Sequence, residues 1–165
     1  MTTNVPPRAT TMRMQGVANA VVHTLLRTPL LCRVVGRRLV ELEIVGRTSG
    51  RRFDVPVAYT RQGEVLLIGT PFTWGRNLRT GTPVVVRLMG RRRTADVQVI
   101  TDEAGVVAAY ADMSRDNHNF AAFNKIGLDQ QGEPDPADLA KAWAAGARAF
   151  RLTPRGDAPP SLTDA

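Results

Sequence analysis

Apolar residues change their spacing twice along this chain. From Met12 to about Val35 they recur at helical intervals, with Val17, Val21 and Leu25 in line and Ala18, Val22 and Leu26 beside them. That spacing predicts an amphipathic helix, broken near Thr28-Pro29, where proline removes an interior N–H. The middle of the chain is different. Leu39–Val45, Val55–Thr60, Val65–Ile68, Val84–Met89 and Thr94–Ile100 are short, rich in β-branched residues and separated by polar or glycine turns, and so read as strands. Leu42, Ile44, Val55 and Val57 fall at alternate positions that face one core. Arg61–Glu64 has hairpin chemistry, with Gly63 free to take positive φ. Gly90–Arg93 is the expected turn of a second strand pair, and Trp74–Arg79 fits one helical turn between the pairs.

After Ile100 the helical period returns. Helices are expected from Thr101 to about Met113 and, more weakly, over Asn119–Ile126. Asp135-Pro136-Ala137-Asp138 opens another, with an N-cap Asp and Pro in the first turn, and it should run over Pro136–Ala147. Ala149–Leu152 reads as a closing strand. Strands bracketed by helices, without a repeating βαβ rhythm, predict an α+β fold built on an antiparallel sheet or barrel. The expected organisation is a flexible arm over residues 1–11, one domain over 12–155, and a flexible tail over 156–165.

Composition narrows the class. A chain of 165 residues with 43% hydrophobic side chains fits one globular domain. The single Cys32 excludes an intramolecular disulfide framework and a thiolate-rich zinc site, and no metal is expected. His23, Arg27 and Arg33 interrupt the apolar stretch Val17–Val35, so no transmembrane segment is predicted and the cytoplasm is the default location.

Charge is uneven. Residues 1–95 hold sixteen arginines against four acids, a net +12, whereas residues 96–165 hold six basic residues against eleven acids, a net −5. Arginine forks bind phosphate and carboxylate bidentately, which points to an anionic partner for the first part of the chain. Nucleic acid is disfavoured, because the arginines lack the interleaved aromatics of a single-strand platform.

Two segments could carry chemistry. In Gly46-Arg47-Thr48-Ser49-Gly50-Arg51-Arg52, two glycines let the backbone turn and expose N–H groups to an anion, and the hydroxyls and arginines add donors and charge. The same residues would also make a solvated turn that keeps a sheet edge soluble. In Gly69-Thr70-Pro71-Phe72-Thr73-Trp74-Gly75-Arg76-Asn77-Leu78-Arg79, an aromatic and two arginines follow a strand end; the simpler reading is a packed Trp with solvated arginines. His23 and His118 stand alone, Asp112, Asp116 and Glu133 form no recognisable acid pair, and Arg91-Arg92-Arg93 reads as a solvated basic turn. No catalytic side chain is identified.

Together, a strand ending in G-R-x-S-G, a strand carrying Pro56 and a loop with W-x-R-N-L-R resemble the deazaflavin-dependent nitroreductase family. These are split β-barrels of the wider flavin-reductase and pyridoxamine-phosphate-oxidase type. The resemblance covers about residues 36–100; more loosely, the Gly132–Pro136 turn and Phe150-Arg151-Leu152 look like one branch of that family. It implies that Arg47, Thr48, Ser49, Gly50, Arg51 and Arg52 hold the phosphate and oligoglutamate tail of coenzyme F-420. It also implies that Pro56, Val57 and Ala58 line the ring, that Gly69 and Thr70 approach its edge, and that Trp74 and Asn77 support the pocket. The chain departs from the family at Thr48, where a lysine is frequent, at Phe53, where a basic residue is expected, and at Ala58, which does not match a substrate-pocket tyrosine. The implied activity is hydride transfer to an electron-poor acceptor such as a quinone, nitro compound or enone, by a homodimer. FMN is the alternative cofactor, and a non-catalytic carrier of a cofactor, haem or lipid is the alternative role.

Overall fold

The computed structural model describes residues 38–157. The expected arm over 1–11 and the helix from Met12 lie outside them, as do Cys32, His23 and the last eight residues of the expected tail. Six strands, β1 (Leu39–Val45), β2 (Arg52–Gln62), β3 (Val65–Thr70), β4 (Val84–Leu88), β5 (Arg91–Ile100) and β6 (Arg148–Asp157), close into a barrel in the order β1-β2-β3-β6-β5-β4. Every pairing is antiparallel. Three helices, α1 (Glu103–Asp116), α2 (His118–Phe123) and α3 (Pro136–Ala144), lie between β5 and β6, and a 3-10 turn spans Thr73–Asn77. Of the antiparallel sheet or barrel that the spacing predicts, the structure is the barrel, with the helices of an α+β fold between its last two strands.

Alternation builds two cores. Val40, Leu42 and Ile44 point into the barrel with Tyr59, Leu66, Ile68, Val86, Val97, Phe150 and Leu152, and Val55 and Val57 pack against them. The opposite faces of β3 and β6 supply Leu67 and Ala149 to a second core with Val106, Tyr110, Met113 and Phe120 from the helices. Asp135 caps its helix as expected, accepting from the Ala137 N–H, and Asp102 caps α1 in the same way, accepting from the Gly105 N–H.

Several bounds differ from the expectation: the last helix ends at Ala144 rather than Ala147, and Arg52 opens β2 rather than belonging to the turn before it. The β4–β5 turn is only Met89-Gly90, with φ of 49° and 81°. A two-residue hairpin with both residues left-handed matches strand twist, so Arg91–Arg93 are strand residues rather than a solvated turn. Arg92 lies largely buried, and its Nε and Nη2 reach the Glu43 carboxylate at 2.5 and 2.7 Å. At the C-terminus, β6 continues to Asp157, where Arg155 pairs with Asp96, beyond the expected start of the tail.

The barrel wall has a gap. β2 pairs with β3 only over Tyr59–Gln62, so Arg52–Ala58 have β1 on one side and no strand on the other among the described residues. The Tyr59 N–H donates to the Arg38 carbonyl, so odd positions of β2 direct their backbone groups to β1 and even positions to the gap. Pro56, which has no N–H, therefore sits where no ladder needs a donor.

Candidate functional site

Antiparallel connectivity brings the β1–β2 loop and the β3–β4 loop to one end of the barrel. The first is a closed structure of its own. The Gly46 N–H donates to the Arg51 carbonyl and the Gly50 N–H to the Gly46 carbonyl, both at 2.8 Å. Gly50 adopts φ of 64°, which glycine takes without a Cβ clash. Ser49 Oγ accepts from the Arg51 N–H at 3.3 Å, and a Cβ on Gly46 would lie 2.7 Å from that oxygen. The amides of Gly46, Arg47, Gly50 and Arg51 are therefore used within the protein. This corrects the expectation of a broadly open N–H concavity: within residues 46–51, only the Thr48 and Ser49 amides carry no hydrogen bond among the described residues.

Asn77 joins the two loops. Its Oδ1 accepts from the Arg47 N–H at 3.0 Å, and its Nδ2 donates to the Trp74 carbonyl at 3.0 Å. Trp74 in turn lies over Phe150 with ring centroids 6.5 Å apart and planes at 21°. The arginine turn is thus tied through Asn77 to an aromatic anchored in the barrel core. The sequence held a signal for this: asparagine in a turn characteristically bonds nearby backbone, although nothing in the spacing tells which backbone.

This arrangement collects charge. Arg47, Arg51, Arg76 and Arg79 are exposed or end exposed loops, and none pairs with a carboxylate among the described residues. Arg52 differs, because its charge helps to hold the Glu43 carboxyl below the usual carboxylate range, after the Arg92 hydrogen bond and the nearer charges of Arg92 and Arg87. Exposed arginines on the two joined loops, with the Thr48 and Ser49 amides, supply donor types that suit a phosphate or carboxylate.

The residues expected at the ring divide into two groups. Pro56, Val57 and Ala58 are half-buried and run along the gap in the wall. Gly69 and Thr70 have structural explanations of their own. A Cβ on Gly69 would lie 2.8 Å from both Met113 Cε and Tyr110 Cε2, so the missing side chain admits the α1 core. Thr70 is buried, its Oγ1 accepts from the Phe72 N–H at 3.0 Å, and its methyl occupies the space a Gly75 Cβ would need. Burial there pushes the Tyr110 hydroxyl pKa up, as expected for a phenol that packs rather than ionises.

The acids noted in the sequence are occupied elsewhere. Asp116 accepts from Thr60 Oγ1 at 2.9 Å, and Arg115 bridges Asp112 and Glu133. Among the described residues no group of three or more His, Cys, Asp or Glu could hold a metal ion, and no helix is long and apolar enough to cross a membrane. A groove of about 870 Å³ lies on the helical side, lined by Val107, Ala111, Leu128, Pro134 and Leu139, and receives nothing from the arginine turn.

No family model matches the chain, and no curated protein matches it. A solved structure described as an F-420 reductase superposes with a TM-score of 0.41 and 16% sequence identity, covering 82% of this chain and 94% of that one. A likeness at that level says nothing of ligand or reaction.

Proposed function

We propose that this chain is an F-420-dependent oxidoreductase that exchanges hydride with an electron-poor organic acceptor such as a quinone, nitro compound or enone. One observation carries the reading: the Arg47–Asn77 bond sets two arginine-bearing loops side by side, and among the described residues no carboxylate pairs with Arg47, Arg51, Arg76 or Arg79. Maintaining like charges together costs free energy unless an anion joins them. A long polyanionic tail uses more of these donors than a single phosphate does, which favours F-420 over FMN.

In this reading Arg47 and Arg51 bind the tail, with the Thr48 and Ser49 amides donating to its oxygens. Asn77 and Trp74 hold the two loops in register, and Pro56, Val57 and Ala58 offer the ring an apolar strand edge beside the gap. When bound, the deazaflavin supplies the two-electron hydride carrier, and the protein supplies position and electrostatics. The proposal includes a homodimer as the working unit.

Titration of the purified protein with F-420, FMN, FAD and haem, followed by absorbance or fluorescence, tests it. F-420 should bind most tightly, and longer glutamate tails should bind better. Equal affinity for FMN and F-420 would contradict the role given to the arginines. Tight binding without turnover on any quinone, nitro compound or enone would leave a carrier instead of an enzyme.

A further inference from the structure

The groove of about 870 Å³ on the helical side is floored by α1 and walled by residues 127–136 and Leu139 of α3. Its size is that of a small-molecule site. Small side chains make the room: Ala104, Ala108 and Ala111 recur at helical spacing beside Val107. Leu128, Pro134 and Leu139 complete an apolar lining that is aliphatic throughout.

Hydrogen bonds hold the wall without closing it on the floor. The Asp135 N–H donates to the Gly127 carbonyl at 2.8 Å, and the Asp129 N–H to the Glu133 carbonyl at 2.9 Å. The Gly127 N–H donates to Asp138 at 3.0 Å. Arg115, on α1, ties the wall to the floor through Glu133 at 2.9 Å.

The charges around the groove do not balance. Arg115 is flanked by Asp112 and Glu133, and Lys141 is bonded to Asp138 at 3.0 Å, although Asp135 also acts on it. Asp129 and Asp135 line the groove and form no salt bridge among the described residues. Each uses one oxygen locally. Asp129 Oδ1 accepts from the Gln131 and Glu133 N–H groups, and Asp135 Oδ1 from that of Ala137. The Oδ2 atoms of both carry no hydrogen bond among the described residues.

We propose that this groove is a second binding site, separate from the arginine-bearing loops, for a small aliphatic ammonium ion. The alkyl body lies on the alanine floor, where burial of apolar surface favours it. The ammonium group donates to Asp129 and Asp135. An anion would meet those two carboxylates and find Arg115 already paired. A neutral chain gains the floor but not the carboxylates, and aliphatic walls give a planar ring no face to stack on.

Amide NMR of the nitrogen-labelled full chain, titrated with hexylammonium, tests the proposal, with hexanesulfonate and 1-hexanol as charge controls. Hexylammonium should shift the amides of Gly127, Leu128 and α1, and should bind about three- to tenfold more tightly than hexanol. Hexanesulfonate should bind most weakly. Asp129→Asn/Asp135→Asn keeps both local acceptors and should bring hexylammonium down to the affinity of hexanol. Ala108→Leu, at an exposed position on the floor, should weaken hexylammonium and hexanol alike by about tenfold. F-420 affinity should not change in either variant, so failure of the cofactor reading and failure of this one are separable. Shifts centred away from the groove, or no binding by the wild type, would overturn the proposal. So would hexanesulfonate binding as tightly as hexylammonium, an asparagine variant that keeps the ammonium preference, or a leucine variant that binds as wild type does.

Discussion

The Arg47 backbone N–H and the Asn77 side-chain oxygen, thirty residues apart in sequence, lie 3.0 Å apart in space. Through that bond the arginine turn is held against a loop whose own conformation is set by Trp74. Asn77→Ala removes an acceptor from Arg47 and a donor from Trp74 together. The variant should lose about 1–2 kcal/mol of stability and bind F-420 more weakly. Asn77→Asp keeps the acceptor for Arg47 but sets a carboxylate beside the arginines, so it should recover part of the stability and none of the affinity. Chemical denaturation and cofactor titration on both variants check this.

Much of this was legible in the sequence. Period-two alternation placed Leu42 and Ile44 inside the barrel, and the cap at Asp135 follows from local side-chain chemistry. What escaped is long-range. Arg91–Arg93 resembled a solvated turn because consecutive like charges mark surfaces, but Arg92 lies beside Glu43 two strands away. The alternation of Glu41 and Glu43 with leucine and isoleucine, matched by Arg87 and Arg92, was the available clue to that ladder. The resemblance implies that Gly69 and Thr70 approach the ring edge, and the structure adds a packing role: the missing Cβ of Gly69 makes room for Tyr110 and Met113. No local pattern shows which helix packs on which strand.

Gly69→Ala tests that last point. Its methyl would need space held by Tyr110 and Met113, so the variant should lose about 1–3 kcal/mol. Its folded fraction should bind F-420 as wild type does. A stable variant with weakened binding would return Gly69 to the ligand's edge.

Trp74→Ala should behave differently. Removing the ring stacked on Phe150 should cost about 3 kcal/mol; the Trp74 carbonyl that Asn77 bonds remains, but the loop that carries it loses its anchor, so stability and F-420 affinity should fall together. A thermal melt and a titration on one preparation would show whether the two losses are coupled.

Glu43 gives the barrel an acid-sensitive contact. Its folded pKa lies below the ordinary 4.5, chiefly through the Arg92 hydrogen bond, against an opposing effect of burial. The stabilisation is therefore fully present above pH 4.5 and is lost as pH falls through the depressed value. Arg92→Ala should be less stable than wild type at neutral pH, and the difference should narrow in acid. A gap in melting temperature that stays constant between neutral and acidic buffers would contradict this.

The central claim is that the arginine turn binds an anion, and Arg51 is the residue to remove. Arg52 already acts on Glu43, whereas Arg51 is exposed and has no carboxylate partner among the described residues. The measurement is the F-420 dissociation constant of wild type and Arg51→Ala, at low salt and again at high salt. Loss of a charge-assisted contact should raise it by about tenfold or more at low salt. Stability should change by no more than about 0.5 kcal/mol, and the difference in affinity should shrink as salt rises. Dissociation constants within about twofold of each other at low salt would contradict the claim and leave the segment as a solvated turn.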